Sequence, residues 1–213
     1  MNNNLLKNLI EIIKNGSREE VKEAQKQVDK FWHEVYVPKR KEGKKAFLTF
    51  LEEVKKFDEI QDIDHQAYFI NTLKWPLLAI GEEYFEEWAK FILKYIQHPS
   101  GKIRQAILSA ADYLILDIVV DLRFDSNQKI SQADKERVKK NKARFGWFVY
   151  TVENLLEKYD EPRFHRYKYI SSIPPSVYKS LEKLIVEVLL RSEYYEKLYK
   201  NWLEGEYQKE ADF

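Results

Sequence analysis

The densest chemistry in this chain is cationic. Lys135, Arg137, Lys139, Lys140, Lys142 and Arg144 stand within ten residues. On a helix, Lys135, Lys139 and Lys142 share one face, and Lys140 and Arg144 form the adjacent row. The run Arg163-Phe164-His165-Arg166-Tyr167-Lys168-Tyr169 follows, with cations and aromatics interleaved. Cations neutralise phosphates and aromatic rings stack on bases, so these residues form a candidate anion or nucleic-acid site. A loop folded back beside the helix start would merge both groups into one patch. The same pattern also reads as a solvated helix face followed by a loop whose rings enter the core.

Other candidate chemistry is sparser. Asp117, Asp121 and Asp125 are spaced four apart, which aligns three carboxylates on one helix ridge able to hold Mg²⁺, or simply makes an acidic edge. Glu83 and Glu86, taken with Asp117 and Asp121, resemble the two carboxylate helices of all-α nucleotide pyrophosphohydrolases, although the spacing differs. The four histidines, His33, His65, His98 and His165, are scattered. No Glu-x-x-His pair for a di-iron bundle and no His-Asp doublet is present, and Asp62-x-x-His65 stands alone. The six glycines are isolated, so no Gly-rich phosphate loop or Gly-x-Ser-x-Gly elbow occurs. No cofactor, metal or catalytic residue is assigned on these grounds. Enzymatic activity is less expected than binding.

Composition sets the frame that must position these groups. The chain has 213 residues, 44% of them hydrophobic, which is enough for one domain with a substantial core. Six Gly and six Pro argue against an all-β fold. The lack of cysteine excludes disulfides and thiolate chemistry. The start, Met1 to Lys7, does not read as a signal peptide. No apolar run approaches the ~18 residues of a membrane span; Asp117 cuts the richest one, Tyr113 to Val120. A cytoplasmic, soluble protein is the expectation. The net charge of +1 conceals a local imbalance: residues 61–134 carry 7 Lys/Arg against 11 Asp/Glu, and residues 135–170 carry 10 against 5.

Apolar periodicity predicts helices throughout. Leu5, Leu6, Leu9, Ile10 and Ile13 define a first helix over about Asn4 to Lys14, closed by Asn15-Gly16 in a left-handed cap. Ser17 and Glu20 form a capping box for the second. It carries Val21, Ala24, Val28, Phe31, Trp32 and Val35 and ends at Val37-Pro38. Lys39 to Lys45 reads as a basic loop. A third helix runs from Phe47 to near Phe57. Asp64 caps a fourth, which Pro76 kinks or ends, a break near Trp75 being the alternative. Glu82, Glu83, Glu86 and Glu87 open a fifth helix, with Phe85, Trp88, Phe91, Ile92 and Tyr95 inward. A sixth carries Ile103, Ala106, Ile107, Ala110, Leu114 and Ile118. Asp125 to Asp134 reads as a loop, Lys135 to Tyr159 as a long helix, and Asp160 to Pro175 as irregular. Ser176 to Leu190 and Ser192 to Leu203 read as closing helices. The tail 204–213 is expected to fray.

Two stretches repeat. Val21, Lys22 and Ala24 stand 82 positions before Ile103, Arg104 and Ala106. Half that offset is a typical helix-pair repeat length. Phe91 to Leu114, with Pro99, Ile103, Arg104, Ala106 and Ala110 in place, resembles a HEAT repeat, although His98 stands where that family has a turn Asp. Leu5 to Phe31 matches more weakly. The resemblance covers roughly the first half of the chain. It implies that Arg104 braces neighbouring repeats through hydrogen bonds to turn acids or carbonyls. It also implies a scaffold or a peptide or nucleic-acid binder.

The expected fold is therefore all-α, a single domain over 1–213. Residues 1–124 form HEAT-like hairpins of a short α-solenoid, and 135–203 form less regular helices. The expected function is a non-enzymatic module binding a protein or peptide partner through the concave face, with Lys22, Lys26 and Gln105 exposed on second helices. The alternative is a nucleic-acid or DNA-repair protein with the architecture of helical-repeat alkylpurine glycosylases, using the basic segment 135–168. No membrane is involved.

Overall fold

The computed structural model describes residues 3–119, 131–166 and 173–208, and among these all regular structure is helical. The helices are α1 (Asn3–Asn15), α2 (Arg18–Phe31), α3 (Arg40–Val54), α4 (Ile63–Thr72) and α5 (Lys74–Ile80). They continue with α6 (Phe85–Tyr95), α7 (Gly101–Val119), α8 (Gln132–Lys158), α9 (Val177–Lys183) and α10 (Glu193–Leu203). α2 and α9 each run on into a wider π-helical segment, Trp32–Tyr36 and Leu184–Leu189. Among the described residues no helix is long and apolar enough to cross a membrane.

Helix starts follow capping chemistry. Glu20 accepts from the Ser17 backbone N–H at 2.7 Å, and the Ser17 hydroxyl accepts from the Glu20 N–H at 3.4 Å. Ser131, Ser176 and Ser192 cap α8, α9 and α10 with the hydroxyl half of this arrangement, accepting from the N–H groups of Asp134, Lys179 and Tyr195. Each such side chain satisfies a backbone donor that the first helical turn leaves orphaned. α4 is capped by Asp62, not Asp64: Asp62 Oδ1 accepts from the N–H groups of Asp64 and His65 at 2.8 and 3.0 Å.

Other boundaries also differ from expectation. Gly16 does not adopt a left-handed conformation. It is glycine because a Cβ there would sit 2.7 Å from the Ile12 carbonyl oxygen. The basic stretch Lys39 to Lys45 is not a loop, since α3 begins at Arg40. Gly43 on that helix abuts Tyr36, where a Cβ would lie 2.8 Å from a ring carbon, so α3 presses closely on the π segment. Pro76 falls in the first turn of α5, where its missing N–H has no intrahelical partner to lose; the break sits at Leu73. Glu82 and Glu83 precede α6, and only Glu86 and Glu87 lie in its first turn. Asp134 lies inside α8, not in a loop. Residues 204–208 form a turn, with Gly205 and Tyr207 at φ 97° and 63°; the rest of the tail lies outside the described residues.

α1 packs on α2, α3 and α4, while α3 packs on α5, α6 and the first π segment. α7 is the hub, touching α4, α5, α6, α8, α9 and the second π segment. It can do so because apolar residues occupy most of its circumference and Ala106, Ala110 and Ala111 let neighbours approach. α10 lies against α8 with the Trp202 indole over Gly146. One contiguous core runs from Leu6 to Trp202, its largest fully buried side chains being Trp88 and eight phenylalanines from Phe31 to Phe148. Burial of such aromatics dominates the favourable side of folding.

Candidate functional site

The basic segment does not form one surface. Lys135, Lys139 and Lys140 are exposed on the first turns of α8. Arg137 reaches Glu82 at 3.4 Å and Asp134 at 3.5 Å. Lys142 is only 9% exposed, because the turn after α10 covers it. Its Nζ donates to the Tyr207 hydroxyl at 3.4 Å and sits 5.0 Å from that ring's centre. Arg144 is 8% exposed, 5.4 Å over the Phe85 ring, and its Nη1 donates to Asn141 Oδ1 at 3.0 Å. Burial pushes its guanidinium below the usual arginine range, with Glu82 opposing. The second cationic group lies elsewhere. Arg163 pairs with Glu161 at 2.9 Å in a turn beyond the C-terminal end of α8, and Arg166 is exposed nearby. His165 stacks on Tyr178 and pairs with Asp160. Lys168 lies outside the described residues. α8 is about 40 Å long at ~1.5 Å per residue, so the two groups occupy opposite ends of it and not the single patch that the sequence allowed.

The start of α8 instead closes a cleft of about 1030 Å³ with the first π segment, the start of α3 and the end of α5. Arg40, Lys44, Arg137, Lys140 and Arg144 line it, as do Glu82, Glu83, Asp117 and Glu136. Lys44 pairs with Glu83 at 3.0 Å; burial pulls its ammonium down, but the Glu83 bond and charge outweigh that and hold it above the usual lysine range. Asp117 Oδ2 accepts from the Glu82 N–H at 2.7 Å, so it fixes the turn before α6. Asp121 and Asp125, the other members of the proposed acidic ridge, lie outside the described residues. Among those described, no three His, Asp or Glu side chains are placed to hold a metal. One wall of the cleft is aromatic: Trp32 stacks on Tyr36 at 4.2 Å and on Trp75 at 4.5 Å between ring centres, with Lys74 4.1 Å from Trp75.

A second depression of about 840 Å³ runs over the N-terminal ends of α2, α4 and α7. Arg18, Asp64, His65, Tyr68, Asn71, Lys102 and Gln105 line it, and Gln25, Asp29 and Lys74 border a smaller hollow that also includes Asn71. His65 Nε2 meets the Gly16 carbonyl at 2.8 Å, Lys102 pairs with Asp64 at 2.6 Å, and Gln25 donates to the Tyr68 carbonyl and Thr72 hydroxyl at 3.2 Å. These contacts pin the three helix starts together. Gln105 lines the groove but is half-buried, with its Oε1 buried. Lys22 and Lys26 do not line it: both are exposed outside it, and Lys26 pairs with Glu23. The groove-facing residue of α2 is Arg18, and Gln25 faces the smaller hollow beside it.

Arg104, expected as a brace, is 3% exposed and fully engaged by neutral acceptors. Its Nη1 donates to the His98 and Pro99 carbonyls at 2.8 and 2.7 Å, Nη2 to the Pro174 carbonyl at 2.9 Å, and Nε to the Ser180 hydroxyl at 2.8 Å. It therefore joins the turn before α7 to the segment that leads into α9. Set against protein-family models, curated proteins and solved structures, the chain matches none.

Proposed function

We propose that this chain is a non-enzymatic, HEAT-like helical-hairpin module that binds an extended peptide of a protein partner in the groove over α2, α4 and α7. The pairing of elements supports the hairpin reading. First members α1, α3 and α6 contact one another in order, as do second members α2, α4 and α7. Arg104 holds carbonyls of the turn before its own helix, and its remaining bonds run to Pro174 and Ser180.

The observation that carries the binding reading is the groove itself. Donors and acceptors of both signs line it, and Gln105 Oε1 is buried there with no donor among the described residues. A peptide backbone supplies such donors in series. A polyanion fits this mixed lining poorly, and the division of the basic segment removes the main support for a nucleic-acid partner.

The test is to select peptides from a displayed random library and map their binding by amide chemical shifts. Shifts are expected at Tyr68, Asn71, Lys102 and Gln105, and Asn71→Arg, at an exposed site, is expected to weaken the selected peptide about tenfold or more without changing Tm. Peptides that map elsewhere, or an unaffected Asn71→Arg, would overturn the reading.

A further inference from the structure

Among the described residues two arginines are more than nine-tenths buried, and they differ in how their charge is met. Arg104 has four hydrogen-bond acceptors. Arg144 has one, Asn141 Oδ1, plus the face of Phe85. Among the described residues its Nε is buried without an acceptor, and so is Nδ2 of the fully buried Asn141 beside it. An arginine stays protonated in a protein, so burial leaves it an unmet demand for negative charge.

The Glu82 charge acts on Arg144 from nearby, but no acid among the described residues hydrogen-bonds or ion-pairs with it. Glu82 is drawn to Arg137, Glu83 to Lys44, Asp117 accepts the Glu82 N–H, and Glu136 accepts from Gln132 at 3.1 Å. Arg144 opens on the cleft of about 1030 Å³. Arg40 and Lys140 line the same cleft, are exposed, and make no ion pair among the described residues. Three cations that make no ion pair among the described residues therefore face one space, beside the carboxylates of Glu82, Glu83, Asp117 and Glu136, and its size is about that of a small-molecule site. One wall of the cleft carries Trp32, Tyr36 and Leu78, with Trp32 stacked on both Tyr36 and Trp75.

We infer that this cleft binds a small phosphate monoester, its phosphate held by Arg144 with Arg40 and Lys140 and its organic body lying against Trp32, Tyr36 and Leu78. A phosphate monoester carries close to two negative charges near neutral pH and offers three acceptor oxygens, which suits a guanidinium fork and two further cations. A single carboxylate matches one cation only. This site lies apart from the peptide groove and stands or falls independently of it.

The test is titration calorimetry of the full chain at low ionic strength with inorganic phosphate, phenyl phosphate, AMP and adenosine. Phenyl phosphate or AMP is expected to bind at least about tenfold more tightly than inorganic phosphate, and adenosine not measurably. Arg144→Met is expected to weaken the ester about 10- to 100-fold while leaving the ligand-free Tm unchanged or raised, since an apolar isostere replaces an under-satisfied buried charge. Lys140→Glu, on the surface, is expected to weaken it several-fold with Tm unchanged, and it tests the site even if Arg144→Met does not fold. No ester binding at millimolar concentration overturns the inference. So does equal affinity for free phosphate and ester, or binding that neither variant affects.

Discussion

At the scale of single residues, His98 shows how local contacts fix a protonation state. Its Nδ1 accepts the Ser100 N–H at 3.0 Å, which requires the neutral ring. Burial, and then the Arg104 guanidinium, push its pKa below the ordinary imidazole value of 6.5, with Asp58 opposing. The unfolded chain therefore binds more protons than the folded one just below pH 6.5, so the His98 contribution is present above that value and is lost as pH falls toward the folded pKa. His98→Asn keeps a neutral acceptor for Ser100. The drop in Tm between pH 7.5 and 5.5, measured by calorimetry, is expected to be smaller in this variant than in the parent; equal drops would show that His98 does not titrate in that window. Residues of this kind were legible only in part. Arg104 stood out because an apolar residue, a cation and alanines follow a proline turn. Nothing near Lys142 or Arg144 in sequence says that they are buried: the residue that covers Lys142, Tyr207, lies 65 positions away. A helical row of cations predicts a face and not what that face meets.

At the scale of elements, the contact between α8 and α10 reverses an ordinary rule. Glycine inside an exposed helix costs about 0.5–1 kcal/mol relative to alanine, so Gly146→Ala would stabilise an isolated α8. In the folded protein a Cβ at Gly146 would lie 2.1 Å from Trp202 Cγ, with the body of the indole and not a flexible tip in the way. Overpacking of this sort costs about 1–3 kcal/mol, which exceeds the propensity gain. Gly146→Ala is therefore expected to be destabilised by roughly 1–2 kcal/mol in urea unfolding, with an altered tryptophan emission from Trp202. A neutral or stabilised variant would mean that α10 moves away without loss. Helix ends were readable where a polar cap directly precedes an apolar stripe, as at Ser17, Ser176 and Ser192. They were misread where charge hides a helix, as at Arg40 to Lys45, and where two aspartates compete, as at Asp62 and Asp64. α3 is held helical by what Gly43 allows Tyr36 to do, a tertiary contact that outweighs the local signal.

At the scale of the whole molecule, the question is whether the N-terminal and the C-terminal helices behave as one cooperative unit. The core is continuous from α1 to α10, and α7 touches both halves. Arg104 adds a polar tie at the same junction, binding residues 98 and 99 on one side and 174 and 180 on the other. Its bonds are charge-assisted, and truncation strands the buried Pro174 carbonyl and Ser180 hydroxyl away from water and frees the part-buried carbonyls of His98 and Pro99. That loss is worth about 3 kcal/mol or more, or a fall in Tm of roughly 6–12 °C for a chain of this size. The manner of unfolding separates two accounts of this tie. If the halves are one unit, Arg104→Ala melts earlier in a single transition, with far-ultraviolet circular dichroism and tryptophan fluorescence coincident. If Arg104 merely staples a weakly attached C-terminal half, the variant shows two transitions, and the probes part because Trp147 and Trp202 lie in that half while Trp32, Trp75 and Trp88 lie in the other. The first outcome is expected, because Ile103, Ile107 and Leu114 keep α7 embedded in both halves after the guanidinium is gone.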